Sequence, residues 1–227
     1  MPTILLLRHA QASFGSADYD VLSARGHEQT AALVQDLECR GLRIARVISG
    51  SLARQRDTAG PVAVACGQTL EIDPRLDEYD FDDLLSHHSS SAVRQARPPG
   101  AAVPEVTSKA FQDVLEMALE NWIAAGASGP AREPWDAFAA RTVGSCRELA
   151  AELGSGETAV ACTSGGVISA VATGLLAVPA RTFIALNRVT INTGITTLAH
   201  GRSGTTLVSF NEHAHLQRPD GSLLTYR

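Results

Sequence analysis

Arg8 and His9 stand together directly after the apolar run Thr3 to Leu7. Such a run reads as a central strand covered on both faces. In open α/β sheets, ligands bind at the carboxyl ends of the strands. A histidine placed there faces substrate, and the adjacent arginine offers a planar fork for phosphate oxygens. Alone, the pair reads more readily as a histidine that caps a strand. Two further segments change the balance. Arg54 follows a second predicted strand, Ala45 to Ser49, within SGSLARQRDTA. Thr163-Ser164-Gly165-Gly166 follows another, Thr158 to Thr163, and opens a helix. A glycine pair at a helix start leaves backbone N–H groups to meet an anion. Two arginines, a histidine and an anion-binding helix start thus fall at strand ends on one edge of a sheet.

Phosphoryl transfer from an ester also needs a proton for the leaving alkoxide. A carboxylic acid supplies it when burial or a neighbouring anion raises its pKa. Asp77, Glu78, Asp80, Asp82 and Asp83 crowd one segment, and the residue pattern alone does not rank them. His213 and His215 lie two positions apart at the end of the last strand candidate, so both side chains are expected on one face. They have no further ligands at zinc-site spacing. His87 and His88 precede a serine run and read as solvated loop residues. Trp122 and Trp135 read as packing residues.

The elements that must position these groups follow from the pattern. Ser23 is a cap for a helix from about Ala24 to Cys39, closed by Gly41. A helix from Leu52 or Ala53 carries Arg54 and Thr58, with Pro61 as a site for a kink or restart. Leu70 to Ile72 is a short strand. Residues 77–104 read as loops with one short helix, 105–125 and 135–153 as helices, and 166–176 as the helix after Thr163. Thr190 to Ala199 and Thr205 to Asn211 are strand candidates joined by the turn GRSG. Alternating strands and helices predict an α/β protein: a three-layer α/β/α arrangement around a mostly parallel central sheet. The expected organisation is one domain over 1–227, with a helical and loop insertion at about 77–134.

Composition agrees. The chain has 227 residues, 44% hydrophobic and 19% charged, with a formal net charge of −5. A generally basic surface for nucleic acid is therefore not expected. The four cysteines form no CxxC motif and read as reduced thiols, and the short apolar N-terminus reads as a buried strand, neither membrane span nor signal peptide. The expected location is cytoplasmic.

The ordered segments LLLRHA at 5–10, LSARGHEQ at 22–29, SLARQRDTA at 51–59, LDE at 76–78 and ACTSGGVIS at 161–169 resemble the histidine phosphatase superfamily, also called the phosphoglycerate mutase-like family. The resemblance spans nearly the whole chain. It implies a phosphoglycerate mutase-like fold and hydrolysis of a small-molecule phosphate ester through phosphohistidine on His9. It assigns Arg8 and Arg54 to the phosphoryl oxygens and Glu78 to the general acid. No metal or cofactor is implied. Family members are often dimers, so a homodimer is one expected assembly.

This chain departs from the family at three places. Arg-His-Gly becomes Arg8-His9-Ala10. Ala12 and Gly15 replace polar groups that help hold phosphate. Ser164 stands where the family places a second histidine, leaving Ser164 and Gly165 as the expected phosphate-binding pair. A serine donates one hydrogen bond but brings no charge, a loss of about 2–4 kcal/mol of transition-state stabilisation. His213, ahead of His215, is the candidate to supply the missing donor; the competing reading leaves both on a solvated strand end. Two alternatives follow: phosphoglycerate mutase-type transfer, set back by the altered positions 12, 15 and 164, and a low-activity phosphoryl-ligand-binding regulatory protein.

Overall fold

The computed structural model describes residues 1–13, 20–88, 108–217 and 222–226. Six strands form one sheet: β1 (Thr3–Arg8), β2 (Ile44–Ser49), β3 (Leu70–Ile72), β4 (Thr158–Thr163), β5 (Ile195–Gly201) and β6 (Gly204–Glu212). Their spatial order is β3-β2-β4-β1-β5-β6. β1 pairs parallel with β4, β4 with β2, and β2 with β3, while β5 is antiparallel to both β1 and β6. The sheet is mixed: pairing is parallel from the β3 edge to β1 and antiparallel from β1 to the β6 edge.

Helices cover both faces. They are α1 (Ala24–Cys39), α2 (Ala53–Ala65), α3 (Phe81–His88), α4 (Ser108–Ala125), α5 (Trp135–Glu152), α6 (Gly165–Leu176) and α7 (Thr182–Val189). The period of two along each strand divides the core into two layers. Leu5 and Leu7 of β1, Val47, Val160 and Cys162 pack with Leu33, Leu37, Ala59 and Val62 of α1 and α2. Ile4 and Leu6, the alternate side chains of β1, pack with Phe138, Leu149, Ile168 and Phe183 on the opposite face. All six side chains of β4 are buried, as a central parallel strand requires.

Local chemistry explains most boundaries. Ser23 Oγ accepts from Gly26 N at 3.0 Å and starts α1. Gly201 pairs with Gly204 across the turn between β5 and β6, and Gly204 adopts a φ of +100° that favours glycine. Pro61 does not break α2, which runs through it. Pro61 and Asp57 are both exposed, so the carbonyl that loses its helical partner has water beside it. Helix α7 has no counterpart in the sequence pattern. The strand expected from Thr190 begins only at Ile195, because residues 190–194 form a loop over the end of β1. His88, read as solvated, ends α3 buried, with Gly129 beside its ring and its carbonyl accepting from Asn121 Nδ2 at 2.8 Å. Of the expected helix over 105–125, residues 105–107 lie outside the described residues. Among the described residues, no helix is long and apolar enough to cross a membrane.

Candidate active site

Parallel pairing brings the three predicted strand ends to one edge. Arg8 lies opposite Thr163, and Ser49 lies opposite Cys162. The chain then continues into His9, Ser164 and the loop before α2. His9 N donates to Thr163 O at 2.8 Å, which ties the imidazole-bearing residue to the end of β4. Asn192 Nδ2 donates to His9 O at 3.0 Å, and Ala10 N donates to Thr58 Oγ1 at 2.9 Å. The backbone around His9 is therefore held from three directions.

His9 is buried, at 6% exposure. Arg54 Nε lies 3.1 Å from His9 Nε2, and His9 Nδ1 lies 2.8 Å from Ala10 O. A guanidinium only donates and a carbonyl only accepts. The partners thus assign the proton to Nδ1 and the lone pair to Nε2. Burial first, then the charges of Arg54 and Arg8, hold His9 well below its usual pKa, so the ring is neutral at neutral pH.

Arg54 is oriented by Asp20. Asp20 Oδ1 accepts from Arg54 Nη1 at 2.6 Å, and Asp20 Oδ2 accepts from Ala53 N at 2.6 Å. Arg8 donates through Nη1 to the carbonyls of Thr190 and, at 2.8 Å, Tyr226. A Cβ on Gly165 would lie 3.6 Å from Arg8 Nε, so the start of α6 runs beside this guanidinium.

The structure separates the crowded acids. Asp77 accepts from Ser51 N and Ser51 Oγ, both at 2.5 Å, and Asp80 accepts from Asp83 N near the start of α3. Glu78 turns to the cluster: its Oε2 accepts from Gly166 N at 2.9 Å. The residue keeps some surface open, but its carboxyl is enclosed. Burial raises its pKa, outweighing the opposing pull of the Gly166 N–H and of Arg54 and Arg8. A Cβ on Gly166 would sit 2.2 Å from Glu78 Oε1, so this approach requires glycine at 166. One amide of the expected anion-binding helix start is thus met by the chain's own carboxyl group.

Ser164 is buried beside His9, and its Oγ accepts from Gln55 Nε2 at 2.9 Å. His213 does not join the cluster. Asn211 adopts a left-handed φ of +60°, and a 3₁₀ turn over Ala214–Leu216 follows, so the strand alternation that placed both histidines on one face ends. His213 Nδ1 bonds to Asn211 O at 2.7 Å, and His215 Nε2 lies 3.2 Å from Thr193 Oγ1. Among the described residues neither bonds to Arg8, His9, Arg54 or Glu78, and no group of three or more His, Cys, Asp or Glu is placed to hold a metal ion.

The structure thus brings together Arg8, His9, Arg54, Glu78, Ser164 and Gly165 and leaves His213 outside. The sequence reading missed Asp20, Gln55, Thr58 and Asn192. Asp20, Gln55 and Asn192 each act on a site residue across a fold-defined distance, Thr58 holds the backbone next to His9, and only the placement of Gln55 and Thr58 on the helix that carries Arg54 hinted at a role.

A family profile for the histidine phosphatase superfamily (branch 1) matches residues 4–213. The probable phosphoglycerate mutase GpmB of Enterobacter sp. (strain 638) is 32% identical over 98 residues, 40% of this chain and 44% of that protein. The same-named protein of Citrobacter koseri is 29% identical over 102 residues, 42% and 46% of the two chains. The match thus spans less than half the length of these curated relatives. Among solved structures, a mycobacterial glucosyl-3-phosphoglycerate phosphatase superposes with a TM-score of 0.66 at 23% identity, over 93% of this chain and 99% of that one. Bacillus stearothermophilus YhfR gives 0.70 at 17% identity, over 96% and 100%. An Entamoeba histolytica phosphoserine phosphatase bound to 3-phosphoglyceric acid gives 0.68 at 18% identity, over 96% and 100%. These likenesses establish a phosphoglycerate mutase-like fold.

Proposed function

Because the chain belongs to the histidine phosphatase superfamily, we propose that it is a phosphoric monoester hydrolase that works through phosphohistidine on His9, without a metal or cofactor, on a small-molecule ester. One observation carries the reading: Arg54 Nε faces His9 Nε2 at 3.1 Å while Nδ1 is tied to Ala10 O. The ring is neutral, its lone pair is directed, and a fixed cation stands where a phosphoryl group would arrive.

In this account the Nε2 lone pair forms a bond to phosphorus as the P–O bond to the alcohol breaks. Glu78 gives its proton to the leaving oxygen, and burial keeps that proton available above the usual carboxylate range. Arg8, Arg54, Ser164 and the backbone at Gly165 carry the charge on the phosphoryl oxygens. Water then attacks the phosphohistidine, Glu78 recovers a proton, and phosphate leaves. Substrate selection belongs to the segment 77–134, which supplies Glu78 and Tyr79.

The test is a screen of small phosphate esters with the wild-type protein and His9→Ala. Removal of the nucleophile is expected to lower turnover by about 10⁴-fold or more. Acid-labile phosphate retained on wild-type protein and absent from His9→Ala identifies the intermediate. Equal turnover in the two proteins refutes the assignment.

The similarity to proteins named probable phosphoglycerate mutase favours a second reading, mutase-type transfer. Adding a bisphosphorylated glycerate and a monophosphoglycerate separates the two, because a mutase returns the isomer and a phosphatase returns phosphate.

A further inference from the structure

We propose that Gln55 and Ser164 act as one neutral hydrogen-bond donor to the phosphoryl group, with Gln55 the positioning residue that directs the Ser164 hydroxyl. This rests on the phosphatase reading above and adds a residue to its machinery.

Gln55 and Ser164 are 0% and 1% exposed. Gln55 Oε1 accepts from Leu52 N at 3.3 Å, while Nε2 donates to Leu76 O at 3.1 Å and to Ser164 Oγ at 2.9 Å. A backbone N–H only donates and a carbonyl only accepts, so these partners settle which end of the amide is nitrogen. Both amide hydrogens are used. Toward Gln55, the Ser164 hydroxyl is therefore the acceptor, and its own hydrogen must point elsewhere. Among the described residues no acceptor takes that hydrogen. A buried hydroxyl hydrogen without an acceptor is costly.

The surroundings say where such an acceptor belongs. Ser164 follows Thr163, whose carbonyl holds His9 N at 2.8 Å. Gly165 runs beside Arg8, and Gly166 N holds Glu78. Ser164 therefore sits between the residue that ties the nucleophile and the two glycines that meet a guanidinium and the acid, and in the proposal its hydrogen goes to an oxygen of the bound phosphoryl group. Gly50 makes room for the arrangement, since a Cβ there would meet Gln55 Oε1 at 2.0 Å. A buried glutamine and a glycine from the segment after β2 and a serine from the segment after β4 thus form one unit. The donor they present carries no charge and does not titrate, unlike an imidazole.

The test measures kcat/KM on an aryl phosphate for Gln55→Met, Ser164→Ala and the double variant, with orthovanadate binding read on the same proteins. Each single change is expected to lower kcat/KM by about 100-fold and weaken vanadate, and the double variant should be no worse than either single one. Gln55→Glu adds a readout that a packing role would not move. Its carboxylate would draw the Ser164 hydrogen toward itself, so activity should fall as pH rises and recover when the side chain is protonated. Losses that multiply in the double variant, or a Gln55→Glu protein with the wild-type pH profile, overturn the proposal. If the wild type hydrolyses esters and His9→Ala does not, that result bears on this pair alone. If turnover is absent, unchanged vanadate affinity in Ser164→Ala overturns it.

Discussion

A histidine attacks phosphorus only through an unprotonated ring nitrogen, and a carboxyl protonates an alkoxide only while it holds a proton. The site pushes its two groups in the directions these tasks need. Burial and two arginines lower the His9 pKa, and burial raises that of Glu78. His9 then stays neutral as pH falls below 6.5, and Glu78 stays protonated as pH rises above 4.5. Activity is expected to extend into the acid range and to decline on the alkaline side as Glu78 ionises. In Glu78→Gln, kcat on alkyl phosphates should fall by about 10²–10⁴-fold and the alkaline limb should vanish. An aryl ester with a good leaving group should lose much less, because its oxygen needs little proton transfer. Equal losses on both ester classes would remove Glu78 from the acid role.

The same His9 shift bears on stability. Unfolding releases the ring to its ordinary pKa, so below 6.5 the unfolded chain binds a proton that the native chain does not. Native stability should therefore drop as pH falls through 6.5 toward the folded value. His9→Gln should flatten that part of the profile in urea titrations at stepped pH.

At the scale of elements, the site is an intersection of strand ends with two helix starts. The C-termini of β1, β2 and β4 point the same way because these strands are parallel, and α2 and α6 begin where β2 and β4 stop. Asp20 accepts from Ala53 N at the first turn of α2 while holding Arg54, so one carboxylate both caps the helix and aims its arginine. The start of α6 is shaped by the absence of a side chain. Gly166→Ala places a methyl group 2.2 Å from Glu78 Oε1 and 2.7 Å from Tyr79 Cε1. Alanine suits a helix interior better than glycine, so the fold should survive. The displaced Glu78 should lower kcat on alkyl phosphates about as far as Glu78→Gln does, with little change on activated aryl esters. Kinetics on the two ester classes, beside a thermal melt, check both parts.

Over the whole molecule, the sheet divides the labour. One layer, under α1 and α2, backs the helix whose first turn carries Arg54. The other, under α4 to α7, holds an aromatic cluster in which Phe138 contacts Tyr79, Trp122, Trp135 and Phe183. Tyr79 is the residue after Glu78, so this cluster forms the rear wall of the acid's position. Phe138→Ala should cost about 3–5 kcal/mol of stability and raise KM through a looser Glu78 segment. Denaturant unfolding and steady-state kinetics measure the two effects separately.

Much was legible without coordinates. Strands and helices read from apolar periodicity, with caps and glycines marking their ends, because these signals lie within a few residues of each other. The order of LLLRHA, SLARQRDTA and ACTSGGVIS identified the strand ends that would carry Arg8, His9, Arg54 and Ser164. Three things were not legible. Helix α7 lacks a side-chain cap and is only eight residues long, so its signal is weak. His213 and His215 were expected on one strand face, with His213 the candidate donor to the pocket, but the backbone turn at Asn211 ends that alternation. The support of the site is the third: Arg54 with Asp20 spans 34 positions, Gln55 with Ser164 109, and Asn192 with His9 183. The amino-acid order by itself determined which elements form and which chemical groups stand at their ends. Only the tertiary structure decided how those groups are protonated, aimed and backed, because burial and long-range hydrogen bonds exist only once distant segments have packed together.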